Sequence, residues 1–174
     1  MNDRTSLGAL IAIDSAAALV IHDAWTGYSP HAPTLASYQL RRTAVGGFYG
    51  AGALSTALGA SRHMDVKLSK GMVSKFLRAL AAAPLEFGVV AYSPRELRTD
   101  DYPHVELSLY IAAEELGREG GIISMHSTGQ DAFLVPWTIF VGGRVFTSTT
   151  EDIGRALKLL GRPLRRKELD RLIE

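Results

Sequence analysis

No cysteine occurs among the 174 residues, so no covalent cross-link can hold this chain in shape. Its fold has to come from apolar burial and backbone hydrogen bonds. The same absence removes thiolate nucleophiles, iron–sulfur clusters and thiolate zinc sites, leaving histidine and carboxylates as the only strong metal ligands. Apolar residues make up 47% and charged residues 21% of the chain, a balance that supports a packed core rather than disorder. A chain of this length buries roughly two-thirds of its unfolded surface around one core, which predicts one globular domain over residues 1–174.

The 19 basic and 18 acidic side chains leave a net charge of +1, too little for a long-range field of one sign. The totals therefore give nucleic-acid binding no support. The locally basic carboxy-terminal stretch, with Arg155, Lys158, Arg162, Arg165, Arg166, Lys167 and Arg171, reads as a solvated helix face. The longest oily stretch, Leu7 to Ile21, is interrupted by Asp14 and Ser15 and is too short to span a bilayer. Nothing near Asp3 resembles a signal peptide. The expectation is a soluble, cytoplasmic protein with no membrane partner.

No internal repeat is visible in the sequence. Leu7, Leu10, Ile11, Ala17, Ala18 and Ile21 recur near helical spacing, with Ser6 as a cap, and predict a first helix ending near Trp25. Between Thr34 and Ala60 the glycines at 46, 47 and 50 disfavour a continuous helix, at about 1 kcal/mol each. This segment divides into a strand ending at Val45, a glycine turn and a helix from about Gly50 to Ala60. A strand from His63 to Leu68 follows. Ser69 then caps a helix carrying Met72, Val73, Phe76, Leu77 and Leu80, which Pro84 stops. Phe87 to Tyr92 reads as a buried strand, and Pro103 to Gly117 as a helix. Ile122 to Met125 and Leu134 to Val141 read as strands, Gly142 and Gly143 as a hairpin turn, and Arg144 to Ser148 as the return strand. Thr149 or Thr150 caps one terminal helix and Pro163 opens another. The alternation predicts a single α/β domain: a mostly parallel sheet flanked by helices, with an antiparallel C-terminal hairpin and two C-terminal helices.

The string GGFYGAG, from Gly46 to Gly52, resembles the glycine-rich turn of dinucleotide-binding and short-chain dehydrogenase proteins. In those proteins backbone amides at a helix amino terminus approach a pyrophosphate. The resemblance covers about twenty residues and implies a nucleotide-like or phosphate ligand at Gly46, Gly47, Gly50 and Gly52, with Asp65 near a ribose hydroxyl. The tyrosine and lysine of the short-chain catalytic pair are missing, since Tyr110 is followed at that spacing by Glu114.

A polar cluster runs from His126 through Ser127, Thr128, Gly129 and Gln130 to Asp131, after an expected strand. His126 there suits a general base or metal ligand and Asp131 its orienting partner. His22 and Asp23 lie beside Trp25, Tyr28 and His31, but the two histidines are spaced too widely for a helical metal pair, so no metal site is expected. Asp14 can meet Glu106 or Glu114 only through the fold. Lys67 after Asp65 lacks the upstream carboxylate of restriction-type nucleases, and no serine elbow is present. Val135, Pro136 and Trp137, followed by strand, hairpin and helix, resemble the closing half of a thioredoxin-like domain in element order, without the cysteines of redox chemistry. With no complete catalytic set and no cofactor identified, the first expectation is a small binding or assembly protein acting through homo-oligomer and partner contacts. The alternative is a nucleotide- or phosphate-binding enzyme or sensor that uses the Gly46–Gly52 turn with His126 and Asp131.

Overall fold

The computed structural model describes residues 4–25, 33–56, 61–90, 103–111, 121–127, 129 and 133–160. Ten strands form one sheet: β1 (Arg4–Ser6), β2 (Ala16–Trp25), β3 (Pro33–Arg42), β4 (Phe48–Thr56), β5 (Ser61–Leu68), β6 (Pro84–Phe87), β7 (Pro103–Ile111), β8 (Gly121–Ser127), β9 (Trp137–Val141) and β10 (Arg144–Ser148). Their order is β1-β6-β10-β9-β8-β7-β2-β3-β4-β5, and every pairing among the described residues is antiparallel. Among the described residues three α-helices accompany them: α1 (Leu7–Leu10), α2 (Lys70–Ala81) and α3 (Asp152–Lys158), with a 3-10 turn at Ile13–Ser15.

This corrects the expected α/β domain with its mostly parallel sheet. Three expected helical stretches are strands instead. Pro103–Ile111 is β7, because Val105, Leu107, Leu109 and Ile111 are all buried while His104, Glu106, Ser108 and Tyr110 face the other way; that period of two belongs to a strand. Phe48–Thr56 is β4, where a Cβ on Gly50 would stand 2.0 Å from the Gln39 carbonyl oxygen, so glycine is what lets the strands meet. The first helix is confined to Leu7–Leu10, capped by Ser6, and Ala16–Trp25 is the central strand β2. The buried strand expected after Phe87 ends there instead, as the four-residue β6. Helix α2 forms where expected, with the Ser69 hydroxyl accepting from the Met72 amide. The hairpin at Gly142 and Gly143 also forms, both glycines having positive φ. The final helix expected from Pro163 lies outside the described residues.

The order of elements reveals a repeat that the residues do not advertise. Strands β2 to β5 form a four-stranded meander that leads into α2, and β7 to β10 form another that leads into α3. The two meanders join through their first strands, β2 against β7, and α2 packs on α3. The plan of elements thus repeats on either side of the β2–β7 junction, whose register pairs Val20 with Ser108. The short strands β1 and β6 pair with each other, and β6 adds to β10.

One face of the sheet is buried with the helices in a single apolar cluster. Ten strands span roughly 43 Å at the usual inter-strand spacing, whereas α2 and α3 side by side cover about half that width. The sheet must therefore curl around the helices for all its inward residues to share one core. No helix among the described residues is long and apolar enough to cross a membrane. The opposite face of the central strands carries polar groups, among them His22, His104, Glu106 and His126.

Candidate functional site

Strand β7 presents His104, Glu106, Ser108 and Tyr110 on the outer face, and the pairing registers decide what surrounds each. Glu106 lies opposite His22 on β2 and opposite His126 on β8, while His104 precedes it by one step of the same face. Directly opposed residues have Cβ atoms about 5 Å apart. Three of the five histidines in the chain thus gather around one carboxylate.

His104 Nε2 donates to Glu106 Oε1 at 2.9 Å, and His126 Nδ1 lies 3.4 Å from the same oxygen. The two imidazole rings are 6.3 Å apart. The His126 and Phe140 rings, the latter on β9, stand 5.5 Å apart between centroids and at 85° to one another, a contact that limits the rotation of His126. The three side chains are 43%, 38% and 35% exposed for His104, Glu106 and His126, so water has access. Their ligand atoms all lie within 4.8 Å of one another, a grouping able to hold one ion.

The hydrogen bond from His104 holds the Glu106 carboxyl below its ordinary pKa against the opposing effect of burial, and electrostatic attraction to His126, His104 and His22 adds to the lowering in smaller measure. A depressed carboxyl pKa contributes stability that is complete above the unfolded value and is lost as pH falls through the folded value. The stability advantage of the native protein over Glu106→Gln, measured by urea unfolding with a chelator present, is therefore expected to shrink between about pH 5 and pH 3. Solvent screening keeps the change modest. An advantage that grew on acidification would contradict the assigned sign.

The remaining sequence candidates are dispersed. Gly46 and Gly47 close the β3–β4 turn, where the Gly46 amide donates to the Thr43 carbonyl and the Gly47 amide to the Thr43 hydroxyl. Gly50 and Gly52 lie within β4 and Asp65 on β5. The turn leads into strand β4 instead of the expected helix, and it packs beside the start of α2, where a Cβ on Gly47 would stand 3.4 Å from the Lys70 amide nitrogen. Asp14 sits in the 3-10 turn, its carbonyl taken by Arg42. Asp23 and Trp25 belong to β2. Asp131, Thr128, Gln130, Tyr28, His31 and Glu114 lie outside the described residues. Ser127 is buried and donates to the Leu134 carbonyl while accepting from the Gly129 amide, a role in holding the loop ahead of β9. Val135 and Pro136 lead into β9 and its hairpin with β10, inside the all-antiparallel sheet.

Sequence reasoning missed His104 altogether and treated Glu106, His22 and His126 as members of different groups. The signal available was the alternation in HVELSLYI, which places His104 and Glu106 on one face of a strand. Comparison with protein-family models, with curated proteins and with solved structures finds no match.

Proposed function

We propose that this protein binds a divalent transition-metal ion, zinc before others, through His104, Glu106 and His126. One observation carries this: two imidazole nitrogens stand 2.9 and 3.4 Å from a single carboxylate oxygen. Tetrahedral zinc with bonds of 2.0–2.1 Å separates its ligand atoms by roughly 3.3 Å, so an ion needs only small side-chain adjustments. Two nitrogens and one oxygen suit zinc and its neighbours, whereas magnesium and calcium favour all-oxygen shells. The ligands are carried by adjacent paired strands, which fix their spacing better than loops do.

His22 lies across from Glu106 on β2, outside the group of three whose ligand atoms come together, and the exposure of the cluster leaves room for water. With three protein ligands and a water, such an ion supplies Lewis-acid chemistry and an acidified water. An ion would take the Nε2 position that a proton holds in the His104–Glu106 hydrogen bond and would need both imidazoles uncharged, so uptake weakens as pH is lowered.

Calorimetric titration with zinc at neutral pH, together with cobalt(II) absorption in the visible, tests the proposal. The expected result is one ion per chain with micromolar or tighter affinity, a cobalt spectrum of low coordination number, and no saturable uptake of magnesium. Absence of saturable zinc binding, or equal binding by the double variant H104A/H126A, would overturn it.

A further inference from the structure

A second place on the same face of the sheet lies in the cross-strand row of Ala18, four residues along β2 from His22. At that second place lies a cavity of about 600 Å³, with Ala18, Val20, Gln39, Arg41, Tyr49 and Tyr110 among its lining residues. The geometry points to a binding site there for a small organic anion: a carboxylate borne on a flat, aromatic body.

Ala18 sits between Arg41 and Tyr110 in one cross-strand row, and Tyr49 lies opposite Arg41 on the far side. The short side chain leaves the hollow, while Tyr49 and Tyr110, 50% and 39% exposed, stand at its two ends. Three inter-strand spacings separate the strands of the two tyrosines, roughly 14 Å, which leaves width for a ring between them. The volume falls in the usual range for small-molecule sites, which combine apolar walls with a few polar groups.

The charge belongs to Arg41. Its neighbour Arg42 is engaged elsewhere, donating to the Asp14 carbonyl and to the Ala16 carbonyl at 3.2 Å, with its guanidinium 5.9 Å from the Phe48 ring. The Arg41 guanidinium has no ion pair or hydrogen bond among the described residues, and none of the described lining residues is acidic. An unpaired planar guanidinium selects a carboxylate through paired, charge-assisted hydrogen bonds. The amide of Gln39 and the two phenol hydroxyls supply further polar contacts. A phosphate group is less well served, because the nearby Gly46 and Gly47 amides are already used within their turn.

This site does not depend on the metal reading, and its test keeps the two apart. Titration of the 15N-labelled protein with sodium benzoate is expected to shift the backbone amides of Gln39, Arg41, Ala51 and Tyr110 in a saturable way. The neutral isostere benzamide should bind at least about tenfold more weakly, and Arg41→Gln should weaken benzoate by a similar factor. Arg144→Gln, on the exposed far hairpin, should leave it unchanged, as should Glu106→Gln. No saturable shift with benzoate, equal affinity for benzamide, stronger binding of inorganic phosphate, or indifference to Arg41→Gln in a protein with an unaltered amide spectrum would each overturn the proposal.

Discussion

Trp137→Ala is expected to lower the free energy of unfolding by about 3–5 kcal/mol, the range for emptying a large buried aromatic site. Trp137 is fully buried in the inner face of β9, between Ser127 of β8 and Ser148 of β10. Its indole nitrogen donates to the Phe133 carbonyl at 3.2 Å. The substitution therefore removes apolar contacts from both neighbouring strands and also strips the Phe133 carbonyl of its indole donor. Against a typical total of about 5–15 kcal/mol for a domain, the loss is a large share, and urea unfolding followed by circular dichroism would record it. Trp137→Phe keeps most of the bulk and loses the indole donor, so its cost should fall well below that of alanine. A loss under about 1 kcal/mol for Trp137→Ala would mean that this core does not pack as described.

The elements legible in the sequence are those whose signals are local. Helix α2 announces itself by the Ser69 cap and an apolar face repeating every three to four residues, and the Gly142–Gly143 hairpin by its turn chemistry. Strand β7 was obscured because Leu107, Tyr110 and Ile111 also fit helical spacing, and short apolar runs satisfy both periods. Only its partners decide the matter: β2 on one side and β8 on the other hold its backbone groups in ladders. A helix over the same residues would leave both neighbours with open edges. The direction of the sheet was lost for the same reason. Expected helices between strands imply crossovers and parallel neighbours, and turning those helices into strands makes the chain a succession of antiparallel neighbours. The repeated meander-and-helix plan was hidden because it resides in pairing order, not in residue identity.

The candidate site was legible residue by residue and illegible as a group. Proximity along the chain groups His22 with Asp23 and His31 and groups His126 with Asp131, and it leaves Glu106 to meet Asp14 only through the fold. The registers His22–Glu106 and Glu106–His126 replace those groupings with one row across three strands. A shift of one residue in either ladder would send the histidine to the buried face. The site therefore depends on the same apolar alternation that buries Leu107 and Met125.

That dependence makes Glu106 the point at which the metal proposal is most exposed. Both His104 and His126 approach its Oε1 atom, so Glu106→Gln removes the only negative charge of the set and leaves two imidazoles to hold the ion. Zinc affinity is expected to fall by on the order of a hundredfold or more, since even supporting groups around a metal contribute ten- to a hundredfold. His104→Ala and His126→Ala should fall in the same range. Phe140→Ala, which frees the His126 ring without touching a ligand, should cost nearer tenfold. His22→Ala decides the coordination number: a loss as large as that of His126→Ala makes His22 a fourth ligand, and a loss of severalfold leaves that position to water. Ser124→Ala, one step from His126 along the same face of β8, is the control and should not change affinity. Competition with a coloured chelator measures each variant, with unfolding curves to show that it is folded. Zinc bound by Glu106→Gln as tightly as by the native chain, or lost equally in Ser124→Ala, would place the ion elsewhere than at these three side chains.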